Sequence, residues 1–339
     1  MSNKDALHWF VFLFTSSVFL YFISFSYISS APHFKIENGP IEYRRVLSFQ
    51  KSHEKEAKIS MAFVGDIMMD RGVRSVVHIH GGGDYRYITR NLDFLNDFDI
   101  VFGNLEGPLS DEGSDLGGLY SFRMEPSALE ALLDANFSVL SIANNHAGDW
   151  GREAFEDTLK RLRLAGVATV GGGFDLQDAR EVSIMEVEGH KVGFVGFSDL
   201  GPEWLEAGFD TAGILIAGSP YHDSVIRGAS REVDTLIVSY HFGEEYMKEP
   251  NDRQRYLATR AVDLGADIVV GHHPHVIQSV ERYGGGIIAY SLGNFIFDQN
   301  FSEETMEGLI LVVEVEGSEI SFDTKKVKIN RTFQPFLSD

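Results

Sequence analysis

The sequence predicts an α/β fold built on a largely parallel or mixed sheet covered by helices. Two observations predict it. Short apolar runs rich in β-branched residues recur along the chain and stop at a glycine or a polar residue, as buried strands do. Between several of them lie segments with apolar residues three and four positions apart, the period of a helix buried on one side.

The strand-like runs are Ile59 to Gly65, Asp99 to Gly103, Phe137 to Ala143, Val192 to Phe197, Thr235 to Tyr240, Ala266 to Gly271 and Gly286 to Leu292. Helices are expected over Pro126 to Ala135, with Pro126 suited to a first turn, and over Arg152 to Ala165 and Asp252 to Leu264. The last two stop before Gly166 and Gly265, in the place where a glycine closes a helix. Leu309 to Glu316 and Glu319 to Val327, joined across Gly317-Ser318, read as a hairpin. These elements give one domain over residues 59–330, followed by a tail at 331–339.

The first 58 residues differ in character. Leu7 to Ile28 carries no charge except a fraction on His8. As a helix at ~1.5 Å per residue it is about 33 Å long, enough for a hydrocarbon core of roughly 30 Å. Residues 1–33 therefore read as an uncleaved signal anchor with a transmembrane helix, a cleaved signal peptide being the runner-up. Residues 34–58 are polar and mixed in charge, a linker. Lys35, Arg44, Arg45 and Lys51 follow the span, which by charge alone favours a cytoplasmic domain. The common arrangement of an N-terminal anchor before a large soluble domain favours an extracytoplasmic one at the cell membrane.

A formal charge of −21 excludes nucleic acid as a partner, because phosphate backbones are neutralised by Lys and Arg. An anionic substrate would need local positive charge, and a metal ion is one source of it. With no cysteine in the chain, a metal site must be built from His, Asp, Glu and Asn. Gly81 to Gly83, Gly171 to Gly173 and Gly284 to Gly286 sit in no nucleotide-binding motif and read as turns.

The strand ends carry the chemistry. In open α/β sheets ligands bind beyond the carboxyl ends of the strands. Asp66, Asn104 and Glu106, Asn145 and His146, His241, and His273 with His275 all fall there. Polar residues begin loops for many reasons, but that does not account for histidine at three separate strand ends. Glu244 and Glu245 read either as metal contacts or as a solvated loop face. Asp149 either orients His146 or caps the next helix. Arg123 is a candidate anion contact among carboxylates.

The succession Val64-Gly65-Asp66, Gly103-Asn104-Leu105-Glu106, Asn144-Asn145-His146-Ala147-Gly148-Asp149, His241-Phe242-Gly243-Glu244-Glu245-Tyr246, Gly271-His272-His273-Pro274-His275 and Gly293-Asn294-Phe295-Ile296-Phe297-Asp298 resembles the CapA-type capsule or poly-γ-glutamate synthesis proteins. These are similar to the calcineurin-like metallophosphoesterases. The resemblance runs from about Ile59 to Asp298. It implies a four-layer α/β/β/α sandwich, here preceded by the transmembrane helix, with a centre of two divalent ions (Mn, Zn, Fe or Mg). It implies Asp66, Glu106, Asn145, His241, His273 and His275 as ligands, with His272 an alternative, and His146 as proton donor assisted by Asp149. Met68 stands where the first motif of the phosphoesterases has a histidine. Asn104, Arg123, Glu244 and Asn294 are the candidates for substrate contact. The implied substrate is an anionic polymer or a phosphoester, and the implied partners are capsule or polyglutamate synthase subunits. Hydrolysis by such a centre, or a non-catalytic assembly or export role that keeps the fold, are the two functions expected.

Overall fold

A computed structural model describes residues 58–338. The expected anchor at Leu7 to Ile28 and the linker up to residue 57 lie outside the described residues. Among the described residues no helix is long and apolar enough to cross a membrane.

The strands are β1 (Lys58–Ile67), β2 (Ile100–Leu105), β3 (Phe137–Ser141), β4 (Ala168–Val170), β5 (Gly172–Gly173) and β6 (Ser183–Val187). They continue with β7 (His190–Ser198), β8 (Gly213–Ile214), β9 (Thr235–His241), β10 (Ile268–His272) and β11 (Val280–Tyr283). The last are β12 (Gly286–Ala289), β13 (Asn294–Ile296), β14 (Glu307–Glu316), β15 (Glu319–Ile329) and β16 (Pro335–Leu337). One sheet has the order β16-β15-β14-β1-β2-β3-β4, with β13 also paired to β1, and a second has the order β11-β12-β10-β9-β7-β6. In the first, β1 to β4 run parallel and the β14–β15 hairpin is antiparallel to β1. In the second, β7, β9, β10 and β12 are parallel.

The two sheets pack face to face, and alternation along each strand explains why. Met61 and Phe63 of β1, Phe102 of β2, Phe194 of β7, Ile237 of β9 and Ile268 of β10 share one core between the sheets. Phe102 stacks on Phe194 across that gap, ring centroids 5.9 Å apart. The intervening residues of the same strands face outward into helices. Ala62 and Val64 meet Val73, Leu132, Phe155 and Leu159. Leu236, Val238 and Val269 meet Val225, Ile226, Leu257 and Ala261. The result is a mixed α/β sandwich layered helix, sheet, sheet, helix. Burial on both faces is what made the strands read as continuous apolar runs.

The helices lie over Ala128–Asp134, Gly151–Leu164 and Asp252–Asp263, within two residues of expectation at each end, and Gly166 and Gly265 take φ of +83° and +108°. Among the described residues four more were not anticipated, Arg71–His80, His222–Ala229, Arg86–Thr89 and Leu176–Arg180. Each is short and shows only a few buried positions, Val73 and Val77 in the first. The described residues of the expected tail, 331–338, carry a further strand. Pro335–Leu337 adds β16 to the edge of the first sheet, and buried Gln334 donates from Nε2 to the Tyr87 carbonyl at 2.7 Å.

Candidate metal centre

The carboxyl ends of the central strands of both sheets converge on one point. The first sheet delivers Asp66 from β1, Asn104 and Glu106 from the end of β2, and Asn145 and His146 from the loop after β3. The second delivers His241 from β9 and His272, His273 and His275 from the end of β10. Parallel pairing sets Asp66 level with Asn104 and His241 level with His272. Two glycines let the backbone close up here. A Cβ on Gly65 would sit 1.9 Å from the Gly293 carbonyl oxygen, and one on Gly271 would sit 2.0 Å from that of Tyr290. His273 and His275 adopt φ of +100° and +57°, costly for residues with a Cβ and a mark of a loop held in place by its surroundings.

A hydrogen-bonded net joins the side chains. Asn104 donates from Nδ2 to Asp66 Oδ1 at 2.8 Å and lies 3.4 Å from His241 Nδ1. His241 Nε2 meets Asn145 Oδ1 at 2.7 Å. The His275 ring reaches Asp66 Oδ2 at 3.2 Å and Asn294 Oδ1 at 3.0 Å through Nδ1, and Glu106 Oε1 at 3.7 Å through Nε2. His272 Nδ1 is 3.4 Å from Asp66 Oδ1, and the His273 backbone N–H donates to Asp66 Oδ2 at 3.2 Å. On the open side His146 Nδ1 donates to Asp149 Oδ2 at 2.7 Å, leaving Nε2 3.8 Å from Glu106 Oε1.

The electrostatics follow from burial. Burial pushes the Glu106 carboxyl up to about 7, against the pull of His275. Burial also acts on His275, but Glu106 and Asp66 outweigh it and hold that imidazole at about 9. Asp66 is likewise desolvated, yet the imidazoles of His272 and His275 beside it bring it well below the usual carboxylate range. His241 and His273 are depressed by burial and by neighbouring histidines, His273 to about 3, so both present neutral rings with a lone pair to give.

These residues fit a metal centre. Both oxygens of buried Glu106, both ring nitrogens of His272 and Nδ1 of His273 have no hydrogen-bond partner. Unpaired carboxylate oxygens in an interior are costly, and a cation resolves that cost. Ligand atoms of Asp66, Glu106 and His275 lie within 4.8 Å of one another, and so do those of Glu245, His273 and His275. All are O and N donors of the kind first-row divalent ions take.

The structure brings Asp66, Glu106, Asn145, His146, His241, His273 and His275 together and distributes the other candidates differently. Asn104 is wholly buried, wedged between Asp66, His241 and Asn144, with its side chain committed to hydrogen bonds there. Asn294 is buried behind His275 and bonds to Gln299 and the Thr305 carbonyl. Arg123 points away from the centre. Its guanidinium lies 3.5 Å from the Trp150 ring centroid, in the wall of a different cavity with Arg74 and Glu125. Glu244 and Glu245 are both exposed, and it is Glu245 whose carboxylate lies near His273 and His275. Asp149 caps no helix. Trp150 holds that position, and Asp149 accepts from His146 and from the Phe122 backbone N–H.

Sequence reasoning missed the mouth of the site. A cavity of about 240 Å³ is lined by His146, His275, Glu245, Arg71, Tyr120, Phe122, Tyr246, Asp298 and Phe301, among others. Arg71 lies over Phe122 at 4.7 Å and is held by Asp298, to which it bonds through Nε and the terminal nitrogen. The signal for Arg71 was its place just past the β1 strand end, beside Asp66 and Met68.

The fold and site define an α/β sandwich with a candidate centre of O and N donors at its strand ends. More particularly, the chain belongs to the bacterial capsule synthesis protein family PGA_cap, whose family model matches residues 60–299. It is 37% identical over 256 residues to the PGA biosynthesis protein CapA of Bacillus subtilis (strain 168), covering 74% of this chain and 67% of that one. It is 36% identical over 270 residues to the capsule biosynthesis protein CapA of Bacillus anthracis, covering 76% of this chain and 64% of that one. The matched stretch thus spans about two thirds of those relatives' own length. Among solved structures it is similar to a 5'-nucleotidase precursor from Thermus thermophilus, with a TM-score of 0.47 and 15% identity over 83% of this chain and 54% of that one.

Proposed function

We propose that this chain is a membrane-tethered hydrolase of capsule or poly-γ-glutamate synthesis, acting on a phosphoester or on a linkage of the polymer through two divalent ions (Mn, Zn, Fe or Mg). The observation that carries the reading is Glu106, a fully buried carboxylate with neither oxygen partnered, set among Asp66, His275 and His146. Asp66, Glu106 and His275 would hold one ion. Asn145, His241 and His273, with Glu106 shared, would hold the other. When bound, the pair supplies Lewis acidity toward substrate oxygens and lowers the pKa of water.

The chain's own residues supply the rest. Asp149 fixes the His146 ring through Nδ1, so Nε2 faces the cavity and its proton passes to a leaving oxygen there. Phe122, with its ring 4.1 Å from that of His146, sets the imidazole plane. Asn104 and Asn294 hold Asp66 and His275 in orientation, as outer partners of ligands do. Arg71 gives the acidic cavity a fixed cation for an anionic substrate. The anchor expected at Leu7 to Ile28 would hold this domain outside the cytoplasm at the cell membrane, beside the synthase subunits that make the polymer.

A second reading is favoured by the relatives, which are described as biosynthesis proteins. In it the chain is an assembly or export subunit that keeps the fold and the ions without turnover. The full chain in detergent, assayed for bound metal and for turnover of a phosphomonoester, a phosphodiester and poly-γ-glutamate with Mn²⁺, Zn²⁺ or neither, separates the two. The hydrolase reading expects bound metal and an activity that a chelator removes. A folded sample with almost no metal would sink it, and metal without turnover would leave the assembly reading.

A further inference from the structure

We infer that Glu245 is a metal ligand and supplies the donor that Met68 cannot. The inference rests on the two-ion reading above and adds a residue to it. Met68 is fully buried against Phe122 and Phe297, and its thioether accepts the Asp70 backbone N–H at 3.1 Å. It therefore offers no nitrogen to the centre. That leaves Asp66, Glu106 and His275 one donor short of a set with a histidine at position 68. A thioether is also a poor ligand for hard divalent ions, which prefer carboxylate and imidazole.

Glu245 arrives from the other side of the cavity. One of its carboxylate oxygens and a ring nitrogen each of His273 and His275 lie within 4.8 Å of one another. The loop that carries it is fastened at several points. The Tyr246 backbone N–H donates to the Pro274 carbonyl at 2.8 Å, tying Glu245 to the histidine loop itself. Buried Gln254 packs against Gly243 and donates to buried Gln278 at 2.8 Å, and Gln278 donates to the Met247 carbonyl at 2.8 Å. Tyr246 also packs edge-on against Phe301, ring centroids 5.1 Å apart. The Glu245 carboxylate is itself exposed and repels that of buried Glu106, a cost that a cation between them relieves. The unpartnered, nearly buried Nδ1 of His273, a ligand of the neighbouring ion in the reading above, is a second observation pointing to a cation beside Glu245. Glu244, one residue earlier, has no such position and serves as an internal comparison.

The test is metal stoichiometry. The full chain in detergent is stripped with a chelator and titrated with Mn²⁺, and bound ion is counted by paramagnetic resonance. Wild type is expected to bind two Mn²⁺. Glu245→Gln is expected to weaken one of the two at least about tenfold, since even residues that only support a ligand are worth 10–100-fold. Its metal-free melting temperature should match wild type, Glu244→Gln should bind as wild type does, and Met68→His added to Glu245→Gln should restore the lost affinity. Glu245→Gln binding both ions with wild-type affinity, or a wild type that binds none, overturns the inference. A wild type that binds two ions but turns over no substrate ends the hydrolase reading alone, and the Glu245→Gln comparison still decides the ligand.

Discussion

His146 and Asp149 form a tight pair. Nδ1 donates to Asp149 Oδ2 at 2.7 Å, while the same oxygen accepts the Phe122 backbone N–H at 2.9 Å. The carboxylate is thereby fixed to the backbone and fixes the ring in turn. General acid catalysis is worth roughly 10²–10⁴ in rate. His146→Ala is therefore expected to lower kcat by about that factor on any substrate turned over, with Mn²⁺ binding nearly unchanged. Asp149→Asn should lower kcat less and leave KM alone. Steady-state kinetics beside a metal titration checks both. A variant that loses metal instead would make His146 a ligand.

Arg71 and Arg123 show what was legible in the sequence and what was not. Strand ends were legible because burial on both faces writes itself as an apolar run, and the first polar residue after it is the one delivered to the site. Asp66 and His241 needed nothing more, whereas the choice of His273 over His272 rested on the family resemblance. Which arginine faces the cavity depends on contacts between distant segments, Arg71 with Asp298 and Arg123 with Trp150, and no local pattern encodes them. Glu244 against Glu245 is a one-residue question, settled by the positive φ of Tyr246 and its bond to Pro274. The division into two sheets was implied by the family resemblance alone, since alternating strands and helices are compatible with one sheet.

That contrast makes a prediction. Arg71→Ala should raise KM for an anionic substrate about tenfold or more, with a smaller change in kcat, because a charge-assisted contact is worth roughly 1.5–3 kcal/mol. Arg123→Ala should leave KM unchanged and lower the melting temperature slightly through the lost stacking on Trp150. Equal effects of the two on KM would contradict the placement of the cavity.

Glu106 should show opposite behaviour with and without metal. In the metal-free protein its unpaired buried oxygens are a cost, so Glu106→Gln is expected to melt at or above the wild-type temperature. Wild type should gain stability on adding Mn²⁺, by about 2.7 kcal/mol at a hundred times Kd, and the variant should gain far less. Thermal melts with and without the ion decide it.

His222 is a site of acid sensitivity far from the metal ligands. Burial depresses its pKa, with help from Arg253 and Arg260 and against Asp223. Its Nε2 meets the Tyr240 hydroxyl at 2.6 Å and its Nδ1 meets Asp223 at 3.0 Å. A depressed folded pKa means the unfolded chain takes up the proton first. The stability is therefore present above the ordinary histidine range near 6.5 and is lost as pH falls below it. Asp223, held at about 2 by Arg260 and His222, adds a loss only below about pH 4. Urea melts at pH 7.5 and 5 should show a smaller loss in His222→Asn than in wild type. An equal loss would place the acid sensitivity elsewhere.

Gly271 leaves no room for a side chain beside the segment that leads into β13. A Cβ there would meet the Tyr290 carbonyl oxygen at 2.0 Å and the Phe242 ring at 2.5 Å, and neither can yield without moving β10. Gly271→Ala is thus expected to cost about 3 kcal/mol, at the upper end for overpacking a core. Because His272 to His275 follow directly, it should also weaken Mn²⁺ binding in whatever fraction stays folded. Gly228 is the contrast. It lies inside the helix His222–Ala229 with open space where its Cβ would go. Gly228→Ala should stabilise by about 0.5–1 kcal/mol through helix propensity and leave metal binding untouched. Urea denaturation of both variants measures the difference. A Gly271→Ala protein as stable as wild type would mean that β10 and Tyr290 are not in the close contact that aims the histidine loop.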